Sequence, residues 1–364
     1  MGAERTPSLY FVSAPVDFAL VGGASIATFF GLSLFHDGSR TETIWTLSAA
    51  LVWVVNWPHF SATSQRLYRS RSHVAQYPVT AIAVPLLLAA AVVGAFLSPE
   101  GVAPWLVKLF VLWSPYHFSG QSVGISLLYA RRGGFPIGRY ERLALSGFVF
   151  GTFLVQSALG ETGQRTASFY SVEYPTLGLP MLVPEVLRIA MWVCGATFVA
   201  LAVRTSLRAR RLPPAILFLP AITQYVWFVL GWRVAAFNEF VPFFHALQYL
   251  LVAWMMHLAE SAQERGASDP RRQVVAQSVR FALVNVAGGA LLFWLLPRIG
   301  ALGGYGLPFA SAVVLSAVQI HHFVVDGVIW KLKNPRVASP LSASFRDLWN
   351  PPQERPAPRV LRAA

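Results

Sequence analysis

The 364-residue chain is 55% hydrophobic and only 12% charged, against the ~25% charged content of a soluble globular domain. A mean hydropathy of +0.52, carried by long apolar runs, excludes an ordinary soluble enzyme and marks a polytopic membrane protein. The formal net charge of +13 is scattered over short loops rather than gathered on one face, which argues against a nucleic-acid partner. A single cysteine, Cys194 in an apolar run, rules out an intramolecular disulfide.

In chain order the pattern predicts an all-α, polytopic transmembrane helix bundle of about ten spans, near 18–35, 42–62, 77–97, 102–130, 142–159, 183–204, 214–232, 238–260, 275–297 and 305–331. Each is close to the ~20 residues that cross a ~30 Å hydrocarbon core, the fourth and tenth being long enough to tilt or protrude. The first run lacks the small-residue cleavage site of a secretory signal. Asp17, after Pro15, suits the cap of the first helix, where a short acceptor and negative charge are favoured.

The loops then sort by charge. Arg66, Arg69 and Arg71 follow the second span, Arg131, Arg132, Arg139 and Arg142 the fourth, and Arg204, Arg208, Arg210 and Arg211 the sixth. Arg265, Arg271 and Arg272 follow the eighth, and Lys331, Lys333 and Arg336 the tenth, whereas the opposite connections hold only Arg40, Arg165, Arg233 and Arg298. The positive-inside rule therefore puts both termini in the cytoplasm, with even-numbered spans running outside to inside. The longest outer loop, 160–182, contains Tyr170, Tyr174, Pro175 and Pro180 and reads as a connector, with a surface lid as the alternative. Residues 1–333 form one membrane domain, and the Pro- and Arg-rich segment 334–364 reads as a poorly ordered cytoplasmic tail near anionic headgroups.

Within the spans the polar residues repeat a pattern. His59, His117, His245 and the pair His321-His322 fall on the second, fourth, eighth and tenth spans. Each has a polar companion three or four residues away, hence on its own helix face: Asn56 for His59, Gln121 for His117, Gln248 for His245, and Gln319 and Asp326 for His322. His321 and His322 lie about 100° apart on the helix, and Asp326 favours His322 by face. Ionisable groups at membrane depth cost roughly 2.5–3.5 kcal/mol each on insertion scales and usually line a site or pathway. A single such histidine is commonly only interhelical glue, but the set together predicts a functional centre.

Neutral imidazole is the commonest metal ligand, and its second nitrogen usually has an outer partner. His59, His117, His245, His321 and His322 are therefore the expected metal ligands, with Asp326, Gln319, Gln121 and Gln248 as supporting or catalytic groups. His36 and His73 fall in expected loops, and His257, beside Glu260, at the inner interface. Without thiolate the set suits iron first, and copper or zinc next. Pro58 and Pro115 adjoin two of the histidines, where freed carbonyls and kinks open space. Gly120, Gly124 and Gly327 offer either close helix packing or room for a ligand. Trp53, Trp57, Trp113, Tyr116, Phe118, Phe244, Tyr249 and Phe323 are the aromatics expected to line an apolar pocket.

A polytopic chain with scattered intramembrane histidines resembles the Brp/Blh-type membrane carotene dioxygenases of bacteria. The run from His321 to Lys331, HHFVVDGVIWK, is similar to a motif of bacterial membrane proteins of the enediyne-associated UnbU type. The resemblance implies an integral protein of the bacterial inner membrane. No substrate is carried over from it; the ligand set and its place in the bilayer themselves point to a non-haem iron oxygenase acting on an apolar lipid or isoprenoid, with membrane lipids and an electron donor as partners. The clustered HxxxH and HxxHH boxes of membrane desaturases are missing, which disfavours a di-iron enzyme of that kind. Two other classes fit the same residues: a haem- or chlorin-binding electron-transfer protein with axial histidines, and a proton-coupled transporter.

Overall fold

A computed structural model describes residues 8–35, 41–265, 269–332 and 334–351. His36, Arg40 and Lys333, assigned to loops from the sequence, lie outside the described residues. The described chain is almost entirely helical, and its one sheet is a two-stranded hairpin. We number the principal helices α1 (Ala14–Phe35), α2 (41–68), α3 (Val79–Leu97), α4 (Ala103–Arg132), α5 (Arg139–Gly160), α6 (Leu182–Ala209), α7 (Ala215–Arg233), α8 (Ala235–Glu264), α9 (Pro270–Ala301) and α10 (Leu307–Ile329).

Eight of these are long and apolar enough to cross a membrane, consistent with an integral membrane protein; α2 and α4 fall short on composition. The physical reason is the site itself. Helix α2 carries buried His59, Ser61 and Thr63, and α4 buried Lys108, His117, Ser119, Ser122 and Ser126. The groups that matter for chemistry lower the mean hydropathy of the helices that bear them.

Several helices open into one wide π-helical turn, at Val52–Asn56 in α2, Val79–Ala83 in α3 and Leu291–Leu295 in α9. Each lies just ahead of a proline: Pro58, Pro85 and Pro297. Proline has no N–H and its ring clashes with the carbonyl four residues back, so the helix widens rather than breaks. Pro115, by contrast, sits inside α4 without interrupting it, and Ser119 Oγ donates to its carbonyl at 2.9 Å.

Helices in lipid gain little from excluding water and associate through close packing at small residues. Gly289 of α9 illustrates this: a Cβ there would come 2.7 Å from the Trp57 carbonyl carbon of α2. Helices α5 and α6 form an antiparallel pair, with Gly151 set against Met191. Helix α10 packs on α4, α2 and α3, while α8 packs on α1, α2 and α9. At one end of the bundle the C-terminal ends of α2 and α8 are joined by Arg66–Glu260 (2.9 Å) and Arg69–Glu264 (2.6 Å). At the same end of the chain's even-numbered helices, Arg131 at the close of α4 donates to the Leu332 carbonyl just beyond α10 at 3.2 Å.

The 160–182 connection is more than a connector. Strands β1 (Thr166–Phe169) and β2 (Val172–Pro175) pair antiparallel, with Thr166 opposite Pro175 and Phe169 opposite Val172. Val172 and Tyr174 alternate inward and pack with Val107, Phe110 and Ala312. Beneath them Lys108 pairs with Glu161, both nearly buried, and Glu161 also accepts the Leu177 N–H at 2.8 Å. Burial first, and then the Glu161 carboxylate, push the Tyr174 hydroxyl above its ordinary range. The hairpin is thus a cover anchored by packing and charge.

The segment from 334 also departs from expectation. Through residue 351 it is ordered as α11 (Pro335–Ala338), a 3₁₀ turn (Pro340–Ser342) and α12 (Phe345–Trp349), which begins in a Ser344–Asp347 capping box. Composition hid this because a few anchors do the work: Val337 and Leu341 are buried with Phe11, Tyr129 and Met255. Arg132 donates to the carbonyls of Leu9, Tyr10, Leu341 and Ala343 at 2.5–3.2 Å. Its guanidinium lies 4.1 Å over the Phe11 ring. Residues 352–364 of the expected tail lie outside the described residues. Asp17, the expected cap, is structural in a different way. It accepts the backbone N–H groups of Phe11 (2.6 Å) and Val12 (3.0 Å) and the Tyr129 hydroxyl (2.7 Å), folding the N-terminal segment back onto α4.

Candidate metal centre

Four helices bring their histidines to one place. Ring centroids are separated by 4.7 Å for His117–His322, 4.8 Å for His59–His322, 5.1 Å for His117–His245 and 5.4 Å for His59–His245. Donor atoms of His59, His245 and His322 lie within 4.8 Å of one another, as do those of His117, His322 and Asp326, so His322 belongs to both groups. All four imidazoles are at most 8% exposed.

Hydrogen bonding leaves the ring nitrogens ready to ligate. His59 Nδ1 donates to the Asn56 carbonyl at the end of the π-helical turn in α2, which leaves the lone pair on Nε2. His59 Nε2, both nitrogens of His245 and His322 Nδ1 are buried without partners. Leaving a buried polar atom unpaired costs about 1–3 kcal/mol, and four together are a rare concentration. His322 Nε2 stands 3.1 Å from His117 Nε2. Two nitrogens each about 2.0–2.1 Å from a common ion would be roughly 3–3.4 Å apart at square or tetrahedral angles. The donor set therefore fits a metal ion.

Asp326 completes the cluster. Its Oδ2 faces His322 Nε2 at 3.5 Å and His117 Nε2 at 3.8 Å. Its Oδ1 is held from the other side by Thr63 Oγ1 (3.0 Å), Trp330 Nε1 (3.2 Å) and Tyr249 OH (3.4 Å). Thr63 and Tyr249 also bond each other at 2.5 Å. Aromatic rings pack the outer faces of the imidazoles: Phe323 stacks on His117 at 4.7 Å, Phe118 on His245 at 3.9 Å, and Phe60 meets His322 edge-on at 4.6 Å.

The expected residues divide on inspection. His59, His117, His245, His322 and Asp326 come together. His321 does not: its ring lies parallel to Tyr68 at 6.3 Å, because the 100° helical step turns it away from the face His322 presents. Asn56 serves His59 through its backbone carbonyl, while its side-chain Oδ1 is buried and unpaired. Gln121 and Gln248 are braces rather than partners of the imidazoles. Gln121 Nε2 donates to the His245 carbonyl (2.9 Å) and to Gln248 Oε1 (3.2 Å), and Gln248 Nε2 donates to the Val21 carbonyl of α1. Gln319 makes no hydrogen bond to any member of the cluster among the described residues. His257 is also apart from it and packs against Phe281. His73 donates from Nδ1 to the Arg66 carbonyl at 3.1 Å. Thr63 and Trp330 were not singled out by spacing. Trp330 lies four residues after Asp326, so the i,i+4 rule reaches it; Thr63 has no such signal, being 263 residues away.

A cavity of about 1060 Å³ reaches this cluster, with His117, Tyr249 and Asp326 in its wall. Of the aromatics expected to line a pocket, Trp113, Tyr116, Tyr249 and Phe323 do so. Trp53 and Trp57 instead pack with Phe293 and Trp294, and Phe244 with Phe237. Gly120, Gly124 and Gly327 border the cavity, and a Cβ added to any of them would meet nothing within 4 Å. These glycines make room rather than permit close helix contact. Compared with family models, with curated proteins and with solved structures, the chain matches none of them.

Proposed function

We propose that the protein is an integral membrane oxygenase, or a closely related redox enzyme, in which His59, His117, His245 and His322, with Asp326, hold non-haem iron against an apolar lipid or isoprenoid substrate. The observation that carries this reading is the convergence of four buried imidazoles, three of them with unpartnered ring nitrogens, beside a large, mostly apolar cavity. Bound iron would supply one-electron and dioxygen chemistry. The chain's own residues do the rest. Asn56 fixes the His59 tautomer, and Thr63, Tyr249 and Trp330 aim Asp326 Oδ2 at the cluster. Phe118 and Phe323 keep water from two of the imidazoles.

Packing favours a bare ion over haem: the imidazoles lie edge-to-face on one another, with no flat slot between them. It also favours a dead-end pocket over a transport path. Beyond His117 towards the start of α4, Lys108–Glu161 and the apolar layer of Phe110, Val172 and Tyr174 close the bundle. The reading agrees with the resemblance to carotene dioxygenases and UnbU-type proteins and includes ten spans, cytoplasmic termini and a bacterial inner membrane. The shared end of α2 and α8 supports the span count, since α2 then runs parallel to a helix apolar enough to cross.

The test is metal analysis of the purified protein with its optical spectrum. Iron near stoichiometric, without a Soret band, is expected. His322→Ala and His117→Ala should each lose it while still inserting into the membrane; unchanged iron in both variants would sink the assignment.

A further inference from the structure

The cavity differs in character at its two ends. Near His117 and Asp326 it is walled by aromatics, but along α4 it continues past Gly120 and Gly124 to Arg131. Fourteen helical residues separate His117 from Arg131, or ~21 Å at 1.5 Å per residue, against a ~30 Å hydrocarbon core. At the far end Arg131, Arg142 and Lys331 line the same cavity, and all three are exposed. Among the described residues Arg131 has only a carbonyl partner, Leu332 at 3.2 Å. Among the described residues Arg142 and Lys331 have no ion pair. Among the described residues Asp326, five residues before Lys331 and turned towards the histidines, is the only carboxylate in the lining. Exposed Gly120 and Gly327 show the space to be a cleft open to its surroundings rather than a sealed void.

The charge bias of the loops accounts for these cations lying on one side of the membrane, but a purely apolar substrate gives no reason for three of them to line one cleft with no ion pair among the described residues. We propose that the cleft binds a long-chain amphiphile with an anionic head group. The head meets Arg131, Arg142 and Lys331, and the chain runs along Gly120 and Gly124 to present a carbon remote from the head to the histidine cluster. The proposal rests on the reading of that cluster as a metal centre only for what happens to the chain; the head-group site stands on the cleft alone. The geometry acts as a ruler, because the distance from the cationic end to His117 selects which part of the chain is presented.

The experiment measures binding of cis-parinaric acid, a fluorescent polyene carboxylate, and of its methyl ester to the full-length protein in neutral detergent. The acid should bind at least tenfold more tightly than the ester, since each of the three basic residues is expected to favour an anionic head group. The double variant Arg142→Gln/Lys331→Gln should lose that preference while keeping the ester's affinity. Gly124→Leu, which fills the cleft, should weaken both probes. Competition by palmitate or by phosphatidylglycerol, but not by a neutral monoacylglycerol, supports the proposal, and the stronger competitor names the source of the head group. Equal binding of acid and ester by the unaltered protein, or a preference that survives the double variant, overturns it. Iron content is measured on the same samples. Iron that is missing, or unchanged in both His322→Ala and His117→Ala, overturns the metal reading without touching the head-group result.

Discussion

At the scale of single residues, the centre depends on how Asp326 is held. Its Oδ1 is taken up by Thr63, Trp330 and Tyr249, which leaves Oδ2 facing His117 and His322. Groups that orient ligands from behind are typically worth about 10–100-fold in metal affinity. Tyr249→Phe combined with Thr63→Val should therefore weaken iron retention by roughly that factor in a chelator competition, with all four histidines intact. Retention equal to that of the parent protein would assign those bonds to packing alone. His321→Ala provides the contrast: its ring faces Tyr68, outside the cluster, so iron content should match the parent's. A fall comparable to that of His322→Ala would mean that the adjacent histidine ligates after all. Helical spacing made His322 and Asp326 legible as a pair, since four residues is one turn. For Gln121 and Gln248 it left two roles open, since a carboxamide beside a histidine can as readily bond the next helix, and here both do. Thr63 was invisible because no local rule links residues on separate helices.

At the scale of elements, the prolines and the buried ion pair do most to shape the site. The π-helical turn ahead of Pro58 delivers the Asn56 carbonyl to His59 Nδ1, a detail that the presence of proline only hinted at. The Lys108–Glu161 pair joins α4 to the base of the hairpin, with side chains 4% and 10% exposed. Removing one partner of a buried pair leaves an uncompensated charge and costs about 3–5 kcal/mol, whereas replacing both with apolar residues is often nearly neutral. Lys108→Met alone should therefore lower the unfolding temperature in detergent markedly, and Lys108→Met/Glu161→Leu should recover most of the loss. Additive losses in the double variant would show that the two charges do not act as a pair. Sequence reading missed this pair because the partners are 53 residues apart and Lys108 lay inside a run read simply as a span. It missed the docking of α11 and α12 for a related reason: Pro and Arg content signals disorder on average, while Val337, Leu341 and Arg132 supply specific anchors.

At the scale of the whole molecule, the question is how α2 and α4 lie in the membrane. Their composition alone leaves eight crossing helices, yet their polar residues face the centre of the bundle, where a low mean hydropathy is no bar to crossing. Sequence alone made the helical class and most element positions legible, because apolar runs and basic loops alternate with a span-length period. Whether a helix crosses depends instead on which face its polar groups occupy, and that emerges only with packing. The two possibilities make opposite statements about two loops. With ten spans and a cytoplasmic N-terminus, Ser72 is inside and Ser98 outside; if α2 and α4 do not cross, Ser72 is outside and Ser98 inside. Both possibilities leave Ser168 outside and Ala209 inside, which calibrates the measurement. Starting from Cys194→Ser, single substitutions Ser72→Cys, Ser98→Cys, Ser168→Cys and Ala209→Cys, all at exposed positions, can be probed in intact cells with a membrane-impermeant thiol reagent. Labelling of Ser98→Cys and Ser168→Cys, with Ser72→Cys and Ala209→Cys protected until the cells are lysed, is the expected result. Labelling of Ser72→Cys with protection of Ser98→Cys would instead lay α2 and α4 on or within the membrane without crossing it. The histidine cluster would then need a different depth, since the ion pairs of Arg66 and Arg69 tie α2 to the end of α8.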